Sequence, residues 1–274
     1  MLMTLIIISS PPTLDLEPIE LTLALAAFEQ APKLLFIGQG IHHLNVLQQM
    51  KKTNVFGIMG AMPEEINGLL NLLSDVKKET YGKRDYYSGF AKGIKFVVVF
   101  SRWGKVAAAT TVTTLIHEFR VSEVLFIGVA GAIQSSLNIG DVVIANRLIQ
   151  HDLDGQPMMA KFEIPLLNES FLSVDSGLVE KAKNAVSSFV IENELQKKFT
   201  ANQLKQFNID SPKVYVGDIA SGDQFISSNM ERNRLQTELP GVLCVEMEGA
   251  AVAQVCFEYE IPLTVIRTIS DESN

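Results

Sequence analysis

The sequence predicts an α/β protein of three-layer αβα type, with helices on both faces of a mostly parallel or mixed central sheet. Three observations predict it. Apolar runs of strand length alternate with helical patterns along the chain. Several strands, such as "IKFVVVF" and "LTVIRTIS", are near-continuous runs of Val, Ile and Phe, as in a sheet covered on both sides. The chain has 274 residues, 47% hydrophobic and 20% charged, enough to fill a large core.

"TLIIIS" (4–9) opens the chain as a buried strand. "EPIELTLALAAFEQ" (17–30) follows as a helix with Pro18 in its first turn. "KLLFIG" (33–38) and "LNVLQQMKK" (44–52) repeat the strand–helix pair. "NVFGIMG" (54–60) is a strand ending in glycine. In "PEEINGLLNLL" (63–73), Ile66, Leu69, Leu70 and Leu73 fall on one helical face. "DYYSGFA" and "IKFVVVF" pair as a hairpin around Lys92-Gly93. The helix 105–119 shows Ala108, Val112, Leu115, Ile116 and Phe119 on one side.

Strand "VLFIG" (124–128) runs into "VAGA", and "DVVIANRLI" (141–149) is strand-like. Residues 151–175 are irregular, "LVEKAKNAVSSFV" is a helix, and 192–212 is polar. "KVYVGDIA" (213–220) and "VLCVE" are strands, "GAAVAQVCFEY" is a helix, and "LTVIRTIS" (263–270) closes the series.

The formal net charge is −8 and no basic stripe is present, which speaks against a nucleic-acid partner. No run of about 20 apolar residues is free of polar breaks, so no membrane span is expected. "MLMTLIIISS" lacks the basic start and small-residue cleavage site of a signal peptide and reads as a strand. Cys244 and Cys256 lie in apolar runs and read as buried hydrophobes of a reducing compartment, so a cytoplasmic protein is expected. The histidines form no ligand pattern; neither a metal nor a cofactor is expected.

In parallel sheets, ligands sit at the carboxyl ends of strands. Five ends present chemistry here: "GAMPEE" with Glu64 and Glu65, "GVAGA" (128–132), "SGDQFI" (221–226), "VEMEGAA" with Glu246 and Glu248, and "RTISD" with Ser270 and Asp271. Each has a plainer reading. First-turn acids suit a helix dipole, "GVAGA" fits a tight turn, Asp223 fits a turn, and Asp271 fits an N-cap. Arg102 and Lys105 read as a solvated turn. Glu246 and Glu248 resist such a reading, because a carboxylate in an apolar run is costly without a partner.

Taken in order, "GIMGAMPEEI", "GKVAAA", "FIGVAGAI", "GDVVIA", "HDLD", "SGDQFI", "VEMEGAAVAQVC" and "IRTISD" resemble the 5′-methylthioadenosine/S-adenosylhomocysteine nucleosidases of the purine nucleoside phosphorylase superfamily. The resemblance runs from about Val55 to Asp271. It implies hydrolysis of the N-glycosidic bond of 5′-thio-substituted adenosines through an oxocarbenium-like transition state. By motif position, Asp271 resembles the acid that protonates adenine N7, with Ser270 orienting it; such an acid needs a raised pKa. Glu65 matches the residue that activates water, and Arg267 an arginine that holds that water and a neighbouring carboxylate. Glu248 matches the acceptor of the ribose hydroxyls. Met247 and Met62 would pack near the sugar, Phe225 would stack on adenine, and the backbone of Ile226 would read its edge. Ala130 and Gly131 would line the site, and Glu246 would support it.

Phosphate-using relatives carry arginines where this chain has Ile127 and "AMPEE", and an anionic nucleophile would meet Glu65. Water is therefore the expected nucleophile. A phosphate-dependent phosphorylase and an inactive paralogue that binds an adenine nucleoside or a protein stand as the alternatives. Futalosine hydrolysis stays open; a 5′-phosphate substrate lacks its arginine cluster. The resemblance implies a small-molecule adenine nucleoside as partner and a homodimer.

Departures are Val129, a serine in some members, and the stretch after "HDLD". Members continue past "SD" with a long helix, so the expected fold lacks that element. The expected organisation is an N-terminal β-α-β-α extension over 1–52 and a nucleosidase domain over 53–274. Residues 1–50 weakly resemble the start of a DsrE-like sulfur-relay subunit, without a relay cysteine.

Overall fold

The computed structural model describes residues 54–191 and 211–271, with Leu204 and Ile209 between them. The four elements expected before residue 53, and nearly all of 192–212, lie outside the described residues.

Strands β1 (Val55–Gly60), β2 (Ser74–Tyr81), β3 (Arg84–Ala91), β4 (Ile94–Phe100), β5 (Glu123–Ala132), β6 (Val142–Gln150), β7 (Phe171–Ser173), β8 (Val214–Ser221), β9 (Val242–Glu246) and β10 (Leu263–Asp271) form one sheet. Helix α1 (Pro63–Leu70) follows β1, and α2 (Lys105–His117) follows β4. Helices α3 (Ser176–Ile191), α4 (Asn229–Glu238) and α5 (Gly249–Glu258) complete the described set. The strand order is β10-β6-β8-β9-β5-β1-β4-β3-β2, and β10 also pairs with β5. The second pairing closes β5, β10, β6, β8 and β9 into a ring. The sheet is mixed: β1–β4, β1–β5, β5–β10, β6–β8 and β8–β9 are parallel. The pairs β2–β3, β3–β4, β5–β9, β6–β7 and β6–β10 are antiparallel, more than the Val/Ile pattern suggested.

Strand side chains point alternately to opposite faces, and here both faces are apolar. Met59, Val97, Val99, Phe126, Val143 and Val265 join the core beneath α2 and α5. Their neighbours Ile58, Phe96, Val98, Ile127, Ile144 and Ile266 join the core beneath α1 and α3. This alternation makes the three layers. Cys244 and Cys256 are buried and unbonded, packed in the first of these cores.

Three elements escape the sequence pattern, one of them β7, which falls within the stretch 151–175 expected to be irregular. Strand β2, "SDVKKETY", is polar and almost wholly exposed at the sheet edge, where Lys77 and Lys78 guard against edge pairing. Helix α4 buries only Leu235, but its start carried a signal in "SNME": Ser228 Oγ accepts the Glu231 N–H at 3.3 Å. Two boundaries also differ. Helix α1 stops at Leu70, although Leu72 and Leu73 still pack against the same core. Strand β5 continues through "VAGA" to Ala132 rather than turning at Gly128.

Among the described residues, no helix is long and apolar enough to cross a membrane.

Candidate active site

The carboxyl ends of β1, β5, β8, β9 and β10 meet at one place, and the loop after β4 joins them. Glu65 lies on the first turn of α1, yet it is buried, at 2% exposure. Its Oε2 accepts the N–H groups of Ala61 and, at 3.0 Å, Met62. The carboxylate turns back over the end of β1 and against β5. A Cβ on Gly128 would stand 2.8 Å from Glu65 Oε1, and one on Gly60 3.0 Å from Oε2. The glycines at these strand tips thus make room for a carboxylate of the chain itself. Burial pushes the Glu65 carboxyl up to about 7, opposed by the Arg267 charge and by backbone N–H donors.

Arg267, on β10, is the counter-charge. It is 1% exposed and lies over the Phe126 ring, its guanidinium carbon 4.0 Å from the centroid. Its Nη2 donates to Glu246 Oε2 at 2.7 Å, and Nη1 donates to the carbonyls of Phe126 and Ile266. Glu246 also accepts the Ser221 hydroxyl and the N–H groups of Glu248 and Gly249. Both of its oxygens are therefore occupied by the protein. This differs from a substrate contact: Glu246 organises the site from beneath.

Glu248 is the N-cap of α5, two residues past β9, and its Oε1 accepts the Gly104 N–H at 2.7 Å. Burial pushes its carboxyl up to about 8, reinforced by the charges of Glu246 and Glu65 and opposed by the Gly104 N–H and Arg267. Gly104 is the N-cap of α2 with φ +91°, and its left-handed backbone turns that N–H toward Glu248. Sequence reasoning missed this residue, although the glycine before a helical run in "GKVAAA" was the available signal.

Asp271 sits opposite Gly131 across a register shift in the β5–β10 pairing. Ser270 Oγ donates to Asp271 Oδ2 at 2.8 Å and lies 3.4 Å from the Ala130 carbonyl. Ala130 and Gly131 are buried beside it, and Asp271 is half-buried. Met62 and Met247 are half-buried next to Glu65 and Glu248 in the chain. Of the loop after β8, Phe225 is 73% exposed while Ile226 is buried.

Lys105, expected in a solvated turn, is instead a clasp. Its Nζ donates to Asp152 Oδ1 at 2.7 Å and to Gln150 Oε1 at 3.1 Å. The Lys105 N–H donates to Asp223 Oδ1 at 2.8 Å, so Asp223 is more than a turn residue.

Three buried glutamates stand around one buried arginine, an arrangement that favours cations over anions when the carboxylates are ionised. A carboxyl group near 7 can exchange a proton at neutral pH, as a general base requires.

The closed strand ring and this acid cluster at the strand tips define a class, and the comparison with known families agrees. The chain belongs to the phosphorylase superfamily, whose family model matches residues 55–274. Among curated relatives, the 5′-methylthioadenosine/S-adenosylhomocysteine nucleosidase of Staphylococcus aureus strain JH9 is 34% identical over 221 residues, covering 80% of this chain and 87% of the relative. The Neisseria meningitidis nucleosidase of the same name, solved in complex with methylthio-immucillin-A, is 31% identical with a TM-score of 0.70, covering 81% of this chain and 87% of that one. A futalosine hydrolase mutant of Helicobacter pylori strain 26695 is 33% identical with a TM-score of 0.66, with the same coverages.

The raised glutamates have a consequence for stability. A folded-state pKa above the unfolded value gives stability that is complete below the unfolded value and is lost as pH rises through the folded one. For Glu248 that window runs from about 4.5 to about 8. Glu248→Gln should therefore raise Tm relative to the parent more at pH 8 than at pH 5. Thermal melts at the two pH values check this; an equal offset at both would mean that Glu248 does not carry the shift.

Proposed function

We propose that this chain hydrolyses the N-glycosidic bond of 5′-methylthioadenosine, S-adenosylhomocysteine or a similar 5′-modified adenosine, releasing adenine. The observation that supports this reading is the grouping of Glu65 and Glu248 around the buried Glu246–Arg267 pair, with Asp271 at the end of the strand that carries Arg267. The similarity to nucleosidases over four-fifths of the chain supports it.

In this reading, Asp271 delivers a proton to N7 of adenine, and its hydrogen bond from Ser270 fixes which way the carboxyl faces. Protonation turns the base into a neutral leaving group and leaves an electron-deficient sugar. Glu248 accepts the ribose hydroxyls; positive charge developing on the sugar favours its ionised form, which in turn stabilises that sugar. Glu65 takes the proton of the attacking water. Arg267 fixes Glu246 and, through its field, keeps Glu65 from being protonated more strongly still. Phe225 stacks on the base, the backbone of Ile226 reads the base edge, and Met62, Met247, Ala130 and Gly131 line the pocket. Futalosine, the substrate named for the Helicobacter pylori relative, is a second candidate because that relative is similar to a comparable degree. The protein works as a cytoplasmic homodimer in this reading. The exposure of Trp103 and Val106 beside Gly104 fits an apolar wall completed by a second copy.

The choice of water over phosphate follows from charge. A phosphate dianion entering beside Glu65 and Glu248 would meet repulsion from whichever of them is ionised, which Arg267, already paired with Glu246, does not offset. Adenine release from methylthioadenosine, followed by chromatography with and without inorganic phosphate, tests both points. The expected result is free adenine and free thioribose at the same rate in both. Release that requires phosphate would instead mark a phosphorylase. Adenine binding without any turnover would mark a binding module.

A further inference from the structure

His151 belongs to no step described so far. It follows directly on β6, is 1% exposed, and neither ring nitrogen has a hydrogen-bond partner. A buried imidazole without partners is disfavoured by about 1–3 kcal/mol, so its retention calls for a reason. The ring faces Gly222 so closely that a Cβ there would stand 2.4 Å from Nε2 and 2.5 Å from Cε1. The contact is held from several directions. The His151 N–H donates to the Ser221 carbonyl at 2.9 Å, and the Gly222 N–H donates to the Glu246 carbonyl at 3.2 Å. The next residue, Asp152, accepts the Asp223 N–H at 2.9 Å on one oxygen and Lys105 Nζ on the other.

Gly222 and Asp223 precede Phe225 and Ile226 with only Gln224 between. Phe225 is largely exposed, so its own packing does little to hold it.

We propose that His151 and Asp152 are positioning residues: the imidazole forms the floor under Gly222 and the carboxylate pins Asp223, together setting the segment that stacks on the base. The inference rests on the nucleosidase reading for the identity of that base. It explains why a glycine stands at position 222, since any side chain there would push the loop off its floor.

The test is a size exchange, read as methylthioadenosine turnover by the full chain. Gly222→Ala should raise KM about tenfold, within the worth of one base–aromatic stack, and leave kcat within about threefold, because the acids do not move. Adding His151→Ala to Gly222→Ala should bring KM back to within about threefold of the parent, since the two changes share one space. An unchanged KM in Gly222→Ala, a loss confined to kcat, or no recovery in the double variant would overturn the proposal. If Gly222→Ala does not fold, His151→Ala alone carries the test: it must raise KM with kcat retained, and failure to do so counts against the proposal. A parent that releases no adenine would instead sink the nucleosidase reading. The same variants are then compared for adenine binding by equilibrium dialysis, where the same tenfold pattern is required.

Discussion

Arg267→Met is expected to cost about 3–5 kcal/mol of stability, the usual range when one member of a buried ion pair is removed. Met fills much of the volume, so the loss is electrostatic rather than a cavity. The variant leaves Glu246 buried without its cation, although the Ser221 hydroxyl and two N–H groups still reach it. Those donors place the expected cost toward the lower end of the range. Glu246→Gln added to Arg267→Met should recover part of the loss, because no uncompensated charge then remains. Chemical denaturation measures both. A single-variant cost below about 1 kcal/mol would show that the pair does not organise the site. Turnover supplies a second readout. The Arg267 charge lowers the carboxyls of Glu65 and Glu248. Without it both rise, Glu65 is more protonated at pH 7, and the acid side of the pH profile moves to higher pH.

That arginine also shows what the sequence can and cannot reveal. "IRTISD" marked a strand with a polar end, and the apolar neighbours of Arg267 made burial predictable. Its partner was not predictable from position, because Glu246 lies 21 residues away and meets it only when β9 and β10 join the same ring. Local signals located the strands with two-sided Val/Ile patterns, and those strands carry the site. They failed where burial is one-sided or absent: β2 is almost wholly exposed, and α4 rests on a single leucine. The glycines of "GVAGA" were visible, but their purpose was not. Gly128 admits the Glu65 carboxylate from another strand end, a long-range contact without a local trace. Gly104 and Lys105 show the same limit. Each acts through a partner more than 40 residues away.

The electrostatic pattern links the fold to the choice of reaction. Ring closure places Glu246 and Glu248 of the β9 end beside the Arg267 guanidinium on β10, itself bound to Glu246, and the β1–β5 pairing adds Glu65. Such a site is short of positive charge, and burial answers by raising Glu65 and Glu248. In the proposed reaction a cationic sugar would relieve the same tension by bringing the missing charge, so the transition state would gain more from these carboxylates than the neutral substrate does.

Glu65→Gln tests the base role proposed for Glu65. Glutamine keeps the size and can still accept from Ala61 and Met62, so the fold should stand. What it loses is the ability to take a proton from water, and kcat should fall by about 10²- to 10⁴-fold. The pH profile makes the assignment specific. With Glu65 near 7, only its ionised form is a base, so the parent should lose activity as pH drops below about 7. Residual activity in Glu65→Gln should lack that limb. Asp271→Asn should cost about 10²-fold or more for a different reason, the loss of the proton given to the leaving base. Because acid and base serve one transition state, the double variant should be little worse than the weaker single one. Fully multiplicative losses would place the two carboxyls in separate events, and a pH limb that survives in Glu65→Gln would pass the base role to Glu248.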